Sequence, residues 1–428
     1  DPSQIGRAAA FYVAGACVGA LFFGQLTDRY GRKKLFIVTL IVYTIATVLT
    51  AFSVNPTWYF ACRFLTGLGI GGEYAAINSA IDELIPAKYR GRIDVSINGS
   101  YWIGAAAGAL LTIPLLDPTV VDPAIGWRLA FGLGAILAVT VLVVRRHVPE
   151  SPRWLFIHGR EQDGERIVAG IERRVEAETG TKLPEPEGTI TIRQRRTIGL
   201  GLIARTVFTL YPRRTILCFS LFVGQAFLYN AFFFTYGDTL TTFLGVKQTG
   251  WYIAVFAVSN FLGAVLLSRL FDTVGRVRMI AGTYIVSGVL LAGAGMVLGS
   301  VTAVTLTLFG AVIFFFASAG ASAAYLTASE IFPMETRALC IAFFYAIGTA
   351  AGGIAGPLLF GKLIEDASVS KDITQIAVGY FIGAVLMVAG GVVEIFLGVK
   401  AEGESLESIA TPLTAEDDAG PKAEVATA

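Results

Sequence analysis

The sequence predicts an all-α membrane protein made of two similar helical halves, and three observations support this. The 428-residue chain is 54% hydrophobic and only 15% charged, whereas soluble domains carry about 25% charged residues. Its apolar residues fall into runs of about 20, the length that a helix needs to cross a bilayer core. Two charged signatures also occur twice, once in each half. A duplicated membrane domain is the direct interpretation.

The repeated signatures are an Asp-x-x-Gly-Arg turn and a Glu-x-x-Pro-x-x-x-Arg turn. They lie at Asp28–Arg32 and Glu83–Arg90 in the first half, and at Asp272–Arg276 and Glu330–Arg337 in the second. We predict that they form a cytoplasmic gate that closes in one state, with Asp28 paired to Arg90. The alternative is that these charges only fix the topology. The predicted gate residues are Asp28, Arg29, Arg32, Glu83, Arg90, Asp272, Arg276, Glu330 and Arg337.

Eleven stretches are predicted to span the membrane. They lie near residues 7–25, 35–54, 58–82, 96–116, 128–146, 215–237, 250–270, 279–299, 302–327, 338–361 and 374–398. The gaps between them alternate between basic and neutral, as the positive-inside rule requires. The repeated turns and the C-terminus are therefore expected in the cytoplasm, and the protein in the plasma membrane, such as a bacterial inner membrane.

The spans divide the chain into four predicted parts. These are a five-span bundle at 1–147, a cytoplasmic connector at 148–213, a six-span bundle at 214–400 and a disordered tail at 401–428. Five and six spans are unequal, and the charge pattern places Asp1 outside the cell. We therefore expect one further helix before Asp1, which would complete a protein of 12 spans.

Additional motifs identify a family resemblance. Pro149–Leu155 reads Pro-Glu-Ser-Pro-Arg-Trp-Leu, Arg63 begins an Arg-x-x-x-Gly-x-Gly-x-Gly series that ends at Gly71, and Gly403–Glu407 follows the last span. With the repeated turns, these residues resemble the major facilitator superfamily, in its sugar-porter-like and metabolite–proton symporter branches. The resemblance implies two pseudo-symmetric six-helix bundles around a central cavity that opens alternately to each side.

Two charges fall inside the third predicted span. Arg63 lies early in it, and Glu73 follows about three turns deeper. Charges are expensive in hydrocarbon, so we expect both to face a cavity and to have partners. In the resembling porters the arginine pairs with an acid on the first helix. We predict that Glu73 and Arg63 couple transport to protons, a structural ion pair being the alternative. Glu394, late in the last span, is interpreted as a packing or interfacial residue.

Polar residues elsewhere in the spans predict a substrate site. Gln225 and Asn230 have the spacing of amides that hold sugar hydroxyls in sugar porters, and an amide both donates and accepts. Tyr325 and Asn98 stand where those porters usually carry Trp and Gln, which argues against a hexose. The predicted substrate-binding residues are Gln225, Asn230, Tyr229, Asn98, Trp102 and Tyr325. Phe232–Phe234 are interpreted mainly as packing residues.

Other features exclude function classes. The sequence shows no catalytic constellation, phosphate loop or paired metal ligands, and the four cysteines lie far apart in apolar stretches. We therefore expect no enzyme activity, cofactor, metal or nucleic acid. Gly104 with Gly108, and Gly352 with Gly356, are expected to let helices approach closely.

The favoured function is proton-coupled uptake of a small polar organic solute by alternating access. Sugars or sugar-like metabolites come first, and organic acids or other metabolites second. A facilitative uniporter is a further alternative, and a transport-dead membrane sensor is the rival from another class. The expected partners are the solute, protons and the lipid bilayer, and we expect a monomer.

Overall fold

The computed structural model describes residues 2–145, 149–183, 200–333 and 336–413, and within these ranges it contains helices and no strand. A π-helical stretch, Thr349–Ile354, joins α14 to α15. The α-helices of these ranges are α1 (Pro2–Tyr30), α2 (Arg32–Ala51), α3 (Pro56–Leu84), α4 (Arg90–Gly99), α5 (Tyr101–Leu115), α6 (Pro123–Arg145), α7 (Pro152–Ile157), α8 (Glu161–Thr179), α9 (Leu200–Arg205), α10 (Pro212–Leu244), α11 (Gly250–Thr273), α12 (Arg276–Met296), α13 (Ala303–Glu330), α14 (Arg337–Gly348), α15 (Ala355–Ser370), α16 (Ala377–Leu397) and α17 (Leu406–Ile409).

Nine helical stretches of the described ranges are long and apolar enough to cross a membrane. They correspond to α1, α2, α6, α10, α11, α12, α13, α14 joined to α15, and the stretch Ile373–Leu397 that contains α16. The other two predicted spans fall on α3 and on α4 with α5, which are helical but outside this set of nine. The all-α membrane fold is confirmed, whereas the count of eleven spans stays a prediction.

The two repeated Asp-x-x-Gly-Arg turns have the same backbone. Gly31 has φ 100° and ψ 152°, and Gly275 has φ 109° and ψ 154°. Glycine adopts this positive φ easily, and each of the two begins the helix that follows. A carboxylate covers each turn, from Glu150 at Gly31 and from Glu402 at Gly275, where an added Cβ would collide with it. The repeat seen in the sequence is therefore also a repeat in structure.

The glycine series that begins after Arg63 packs α3 against its neighbours. A Cβ at Gly67 or Gly71 would collide with the backbone of α1, and one at Gly69 would lie 2.8 Å from Thr39 O of α2. Small residues at such spacing let helix backbones approach closely. The series therefore fixes the contact of α3 with both helices.

Among the described residues, a Cβ at Gly104 or Gly108 would meet no atom within 4 Å, so their close approach to another helix stays a prediction. The expectation is correct for Gly352 and Gly356, which approach α10, since a Cβ at Gly356 would lie 2.9 Å from the Cβ of Ala231. The π-helical stretch lies at this contact.

Aromatic side chains fill the second half. The ring of Phe232 lies 4.8 Å from that of Phe314 and 5.6 Å from that of Phe256, measured between centroids. This placement agrees with a packing role for Phe232, while the side chains of Phe233 and Phe234 lie outside the described part of the structure.

The segment after α16 is folded as far as residue 413, in contrast to the predicted disorder of 401–428. Ala401, Leu406 and Ala410 are buried, and Ser405 caps α17 by accepting a hydrogen bond from the backbone N–H of Ser408. Burial of these three apolar side chains stabilises the folded segment. The acidic composition of the tail alone did not indicate this burial. Residues 414–428 lie outside the described part.

Candidate functional site

A cavity of about 280 Å³ lies between the two halves. Its volume falls near the lower end of the usual range for ligand sites, about 300–1,000 Å³. Its lining residues are Tyr12, Val13, Ala16, Arg63, Ile70, Tyr74, Asn98, Tyr101, Trp102, Gln225, Tyr229, Asn230, Ser318, Ala321, Ser322, Tyr325, Tyr345 and Thr349. The structure thus brings all six predicted substrate-binding residues together around one space. Their role in binding stays a prediction.

Aromatic rings dominate this lining, with six tyrosines and one tryptophan. The ring of Tyr74 stacks on Tyr325 at 5.3 Å and on Tyr345 at 5.2 Å, so the first half contacts the second. On another wall, Trp102 lies 5.5 Å from Tyr229. The cavity therefore offers flat apolar faces suited to a planar solute.

Arg63 is the only charged residue among the lining residues that the structure describes. Its guanidinium carbon lies 5.0 Å from the ring centroid of Tyr12 and 5.5 Å from that of Phe131, within cation–π range. No salt bridge of the described residues includes Arg63. The N–H groups of Arg63 therefore form no salt bridge with a carboxylate of the described residues.

Glu73 does not join Arg63 at the cavity and is not among the lining residues. It follows Gly69 by about one helical turn, and Gly69 packs on Tyr43 and Thr39 of α2. The charge of Glu73 nevertheless acts on Tyr12, the cavity-lining residue that Arg63 also contacts. Glu73 therefore lies close to the cavity without lining it.

A polar chain that the sequence analysis missed begins at the cavity lining. The side-chain N–H of Asn98 donates to Asn78 Oδ1 at 2.8 Å and to Asp94 Oδ1 at 3.2 Å. Asp94 and Asn78 are fully buried, with 0% exposure. One available signal was the spacing of four residues between Asp94 and Asn98, which places both on one face of a helix.

The repeated charged turns form one end of the protein, which we call the charged face: Asp28–Arg32, Glu83–Arg90, Asp272–Arg276 and Glu330–Arg337. At its centre Arg276 donates to Glu330 Oε1 at 3.0 Å and Oε2 at 3.1 Å. Arg90 of the first half also donates to Glu330, at 3.4 Å. All three side chains are almost fully buried. This cluster ties the two halves together.

A second contact between the two halves lies at the start of α4. Asp272 accepts hydrogen bonds from the backbone N–H groups of Gly91 at 3.2 Å and Arg92 at 2.8 Å. An acidic side chain at a helix N-terminus also interacts favourably with the helix dipole. Arg276 completes the arrangement through a 2.8 Å salt bridge to Asp272. These bonds therefore attach the second half to the first half at the beginning of α4.

This structure does not show the predicted pair of Asp28 with Arg90. Asp28 lies 3.5 Å from Arg32, its neighbour one turn along the chain, and the described bonds of Arg90 go to Glu330 and to the backbone oxygen of Glu404. Because both halves contain these motifs, each half has an acidic residue that could pair with Arg90. Only the fold determines which of them it contacts.

The other gate residues fall into three groups. Arg29 is exposed, with its guanidinium 5.2 Å from the ring of Tyr30. Arg337 is fully buried at the start of α14. The side chain of Glu83 lies outside the described part of the structure.

The C-terminal segment joins the charged face to the region after α6. Arg153 of α7 forms a 2.9 Å salt bridge with Glu407 of α17. Burial raises the pKa of the Glu407 carboxyl, but the charge of Arg153 and the hydrogen bond from it outweigh burial, so the pKa is lowered. Glu407 is therefore held as the carboxylate, which favours this contact at neutral pH.

Comparison with known proteins decides the family. The model of a family described as sugar (and other) transporter matches residues 1–413. The chain belongs to this sugar transporter family. Among solved structures, the fold of this family member is similar to that of a proton:xylose symporter, with a TM-score of 0.76 and 18% identity over 95% of this chain and 88% of that one.

Curated relatives transport several kinds of solute. A niacin transporter of Acinetobacter baylyi is 28% identical, covering 95% of this chain and 88% of its own length. A 4-hydroxybenzoate transporter of the same organism is 25% identical, covering 85% and 78%. A probable plastidic glucose transporter of Arabidopsis thaliana is 26% identical, covering 96% and 77%. This sugar transporter family member is therefore a multi-pass membrane transporter of the major facilitator fold with a small-molecule substrate, and not an enzyme.

Proposed function

We propose that the protein takes up a small, single-ring aromatic carboxylate by proton symport. The observation that carries the proposal is the composition of the cavity, where one arginine stands among seven aromatic rings. A guanidinium recognises a carboxylate through paired N–H donors, and flat rings favour a planar solute. Two of the relatives support this class, because niacin and 4-hydroxybenzoate are both single-ring aromatic acids.

The closed charged face indicates which state the structure represents. Its buried bonds join the halves at one end, so we infer that solute reaches the cavity from the opposite end. If the basic turns are cytoplasmic, as the positive-inside rule predicts, this is the state that receives solute from outside. Breaking the bonds of Glu330 and Asp272 would open the cavity to the cytoplasm.

A sugar or sugar-like solute is the second candidate. Gln225 and Asn230 both line the cavity, and amides suit neutral hydroxyls. However, the amide N–H of Asn230 already donates to the backbone oxygen of Ala226 at 2.8 Å. We therefore rank the sugar second.

A panel of radiolabelled solutes tests the proposal in vesicles that contain the full-length protein and a pH-sensitive dye. We expect nicotinate or 4-hydroxybenzoate to accumulate and to carry protons inward, with glucose and xylose much less active. Accumulation of a sugar but of neither acid would replace the first candidate by the second. Uptake without proton movement would indicate a uniporter, and no uptake of any solute would favour a sensor.

Glu73 is the acidic residue that the sequence assigns to proton coupling, and we retain it as a proposal. Glu73→Gln keeps the shape of the side chain but cannot ionise. We expect this variant to exchange internal for external solute normally while losing uphill accumulation. Full accumulation by Glu73→Gln, at equal expression, would exclude Glu73 from coupling.

A further inference from the structure

We propose that the cavity selects aromatic acids that carry a hydroxyl group on the ring, and that Tyr229 and Ser318 recognise this hydroxyl. The inference rests on the aromatic acid proposed above and adds a second recognised group at the same site. Arg63 belongs to the first half, whereas Tyr229 and Ser318 lie on α10 and α13 of the second half, and all three line the cavity. A solute held at both ends would therefore contact both halves.

The first argument is the direction of the hydrogen bond between Tyr229 and Asn260. The side chain of Asn260 donates to the backbone oxygen of Phe256 at 2.9 Å. A carbonyl oxygen only accepts, so the amide atom at that contact is the nitrogen. The other amide atom, Asn260 Oδ1, also only accepts, and it lies 2.8 Å from the Tyr229 hydroxyl. Tyr229 therefore donates its proton to Asn260, and its own oxygen is left as an acceptor.

The surroundings keep the Tyr229 proton in this direction. Asn260 is on α11 with 0% exposure, so no water replaces Tyr229 as its donor. A buried acceptor that loses its donor is costly. The ring of Tyr229 also packs between Trp102, 5.5 Å away, and Phe314, 5.0 Å away. Tyr229 could turn its proton toward a solute only by leaving Asn260 without a partner.

The second argument is the hydroxyl of Ser318. Ser318 is 1% exposed, and its hydroxyl lies beside that of Tyr229. In this structure it is not in hydrogen-bond geometry with any atom of the described residues. Buried hydroxyls in folded proteins nearly always have a partner, and a solute in the cavity can supply one. The proton of Ser318 therefore remains available to a solute, next to the accepting oxygen of Tyr229.

Together the two hydroxyls determine which ring substituent fits. Tyr229 needs a donor, and Ser318 can supply a proton to an acceptor. A phenolic hydroxyl both donates and accepts, so it satisfies both residues at once. A ring nitrogen only accepts and would leave the Tyr229 oxygen without a donor, and an unsubstituted ring would satisfy neither residue. We therefore expect hydroxylated benzoates to bind best, pyridine carboxylates less well and benzoate least.

Competition binding to the purified full-length protein tests this order, with labelled 4-hydroxybenzoate as the probe. Benzoate is the matched competitor, because it has the same ring and carboxylate and lacks only the hydroxyl. We expect wild type to bind 4-hydroxybenzoate at least about tenfold more tightly than benzoate, as one or two hydrogen bonds would give. The affinity for nicotinate should lie between these two.

Three variants separate the roles of the residues. Ser318→Ala and Tyr229→Phe should each reduce the preference for 4-hydroxybenzoate over benzoate by roughly three- to tenfold, the effect of one hydrogen bond. Asn260→Leu frees the Tyr229 proton to donate, so nicotinate should gain at least about threefold relative to 4-hydroxybenzoate. The control is Tyr252→Phe, at a tyrosine of α11 that is not among the lining residues, and it should change neither ratio.

The outcomes distinguish this inference from the proposed function. Equal binding of 4-hydroxybenzoate and benzoate by wild type would overturn the inference and leave the aromatic acid as the substrate. If neither acid binds, the proposed function is wrong and the inference falls with it. A wild-type preference in both Ser318→Ala and Tyr229→Phe would show that other residues recognise the hydroxyl. Equal losses for both acids in these variants would show that Tyr229 and Ser318 only shape the cavity wall, which also overturns the inference.

Discussion

Replacing Glu330 with glutamine is expected to open the charged face. Glu330 is 1% exposed and accepts hydrogen bonds from Arg276 and Arg90. Removing one partner of a buried ion pair costs about 3–5 kcal/mol, because the remaining charge is left uncompensated. Each 1.4 kcal/mol changes an equilibrium about tenfold. The ratio of closed to open protein should therefore fall by at least about 100-fold.

Native cysteines report this opening. Cys340 is fully buried on α14, and α14 packs on Gly24 of the first half, where a Cβ would lie 2.7 Å from that of Ala342. Cys62 is buried on α3, within the first half. In Glu330→Gln we expect a maleimide to label Cys340 much faster than in wild type and to leave Cys62 protected.

Two comparisons make the result decisive. Glu365→Gln, at an exposed position on α15, should label like wild type. Labelling of both cysteines in Glu330→Gln would indicate unfolding, in which case Arg90→Gln, which leaves the bonds between Arg276 and Glu330 intact, provides the milder test. Unchanged protection of Cys340 in both variants would show that these bonds do not hold the face closed.

The repeated turns could be predicted from the sequence because their geometry is local. A glycine with positive φ between two helices, followed by arginine, gives the same backbone at Gly31 and Gly275. The long apolar runs likewise indicated helices, since a bilayer leaves few other ways to satisfy the backbone. These features depend on residues that are close in the chain.

The partners of the charges could not be predicted in the same way. Arg90 bonds to Glu330, 240 residues away, although the motif of its own half offered Asp28. Asp94 was missed for a related reason, because an acid just after a basic turn resembles an ordinary solvated charge until the fold shows that it is buried.

The six predicted cavity residues show where sequence reasoning succeeds at a site. Polar and aromatic side chains inside an apolar span need a reason, and a shared cavity is the usual one. The polar side chains of Gln225 and Asn230 on α10 therefore predicted a cavity, and both residues line it. The chemistry of the site depended on Arg63, whose position beside Tyr12 and Phe131 becomes clear only when α1, α3 and α6 are assembled.

Replacing Arg63 with glutamine is expected to abolish the preference for a carboxylate. Nicotinate and nicotinamide have the same ring and differ in the charge of one substituent, so they separate charge recognition from ring binding. A hydrogen bond to a charged group contributes about 1.5–3 kcal/mol, which corresponds to roughly 10- to 150-fold in affinity. Arg63→Gln should weaken nicotinate binding by this factor and leave nicotinamide binding within about threefold.

Arg63→Lys distinguishes charge from geometry. Lysine keeps the positive charge but lacks the planar fork that binds a carboxylate with two parallel hydrogen bonds. We therefore expect an intermediate loss for nicotinate, measured by competition against a labelled solute in purified protein. Equal losses for nicotinate and nicotinamide in Arg63→Gln would show that Arg63 only supports the cavity wall through Tyr12 and Phe131. Unchanged nicotinate affinity would place the carboxylate elsewhere and remove the main support for an aromatic acid as the substrate.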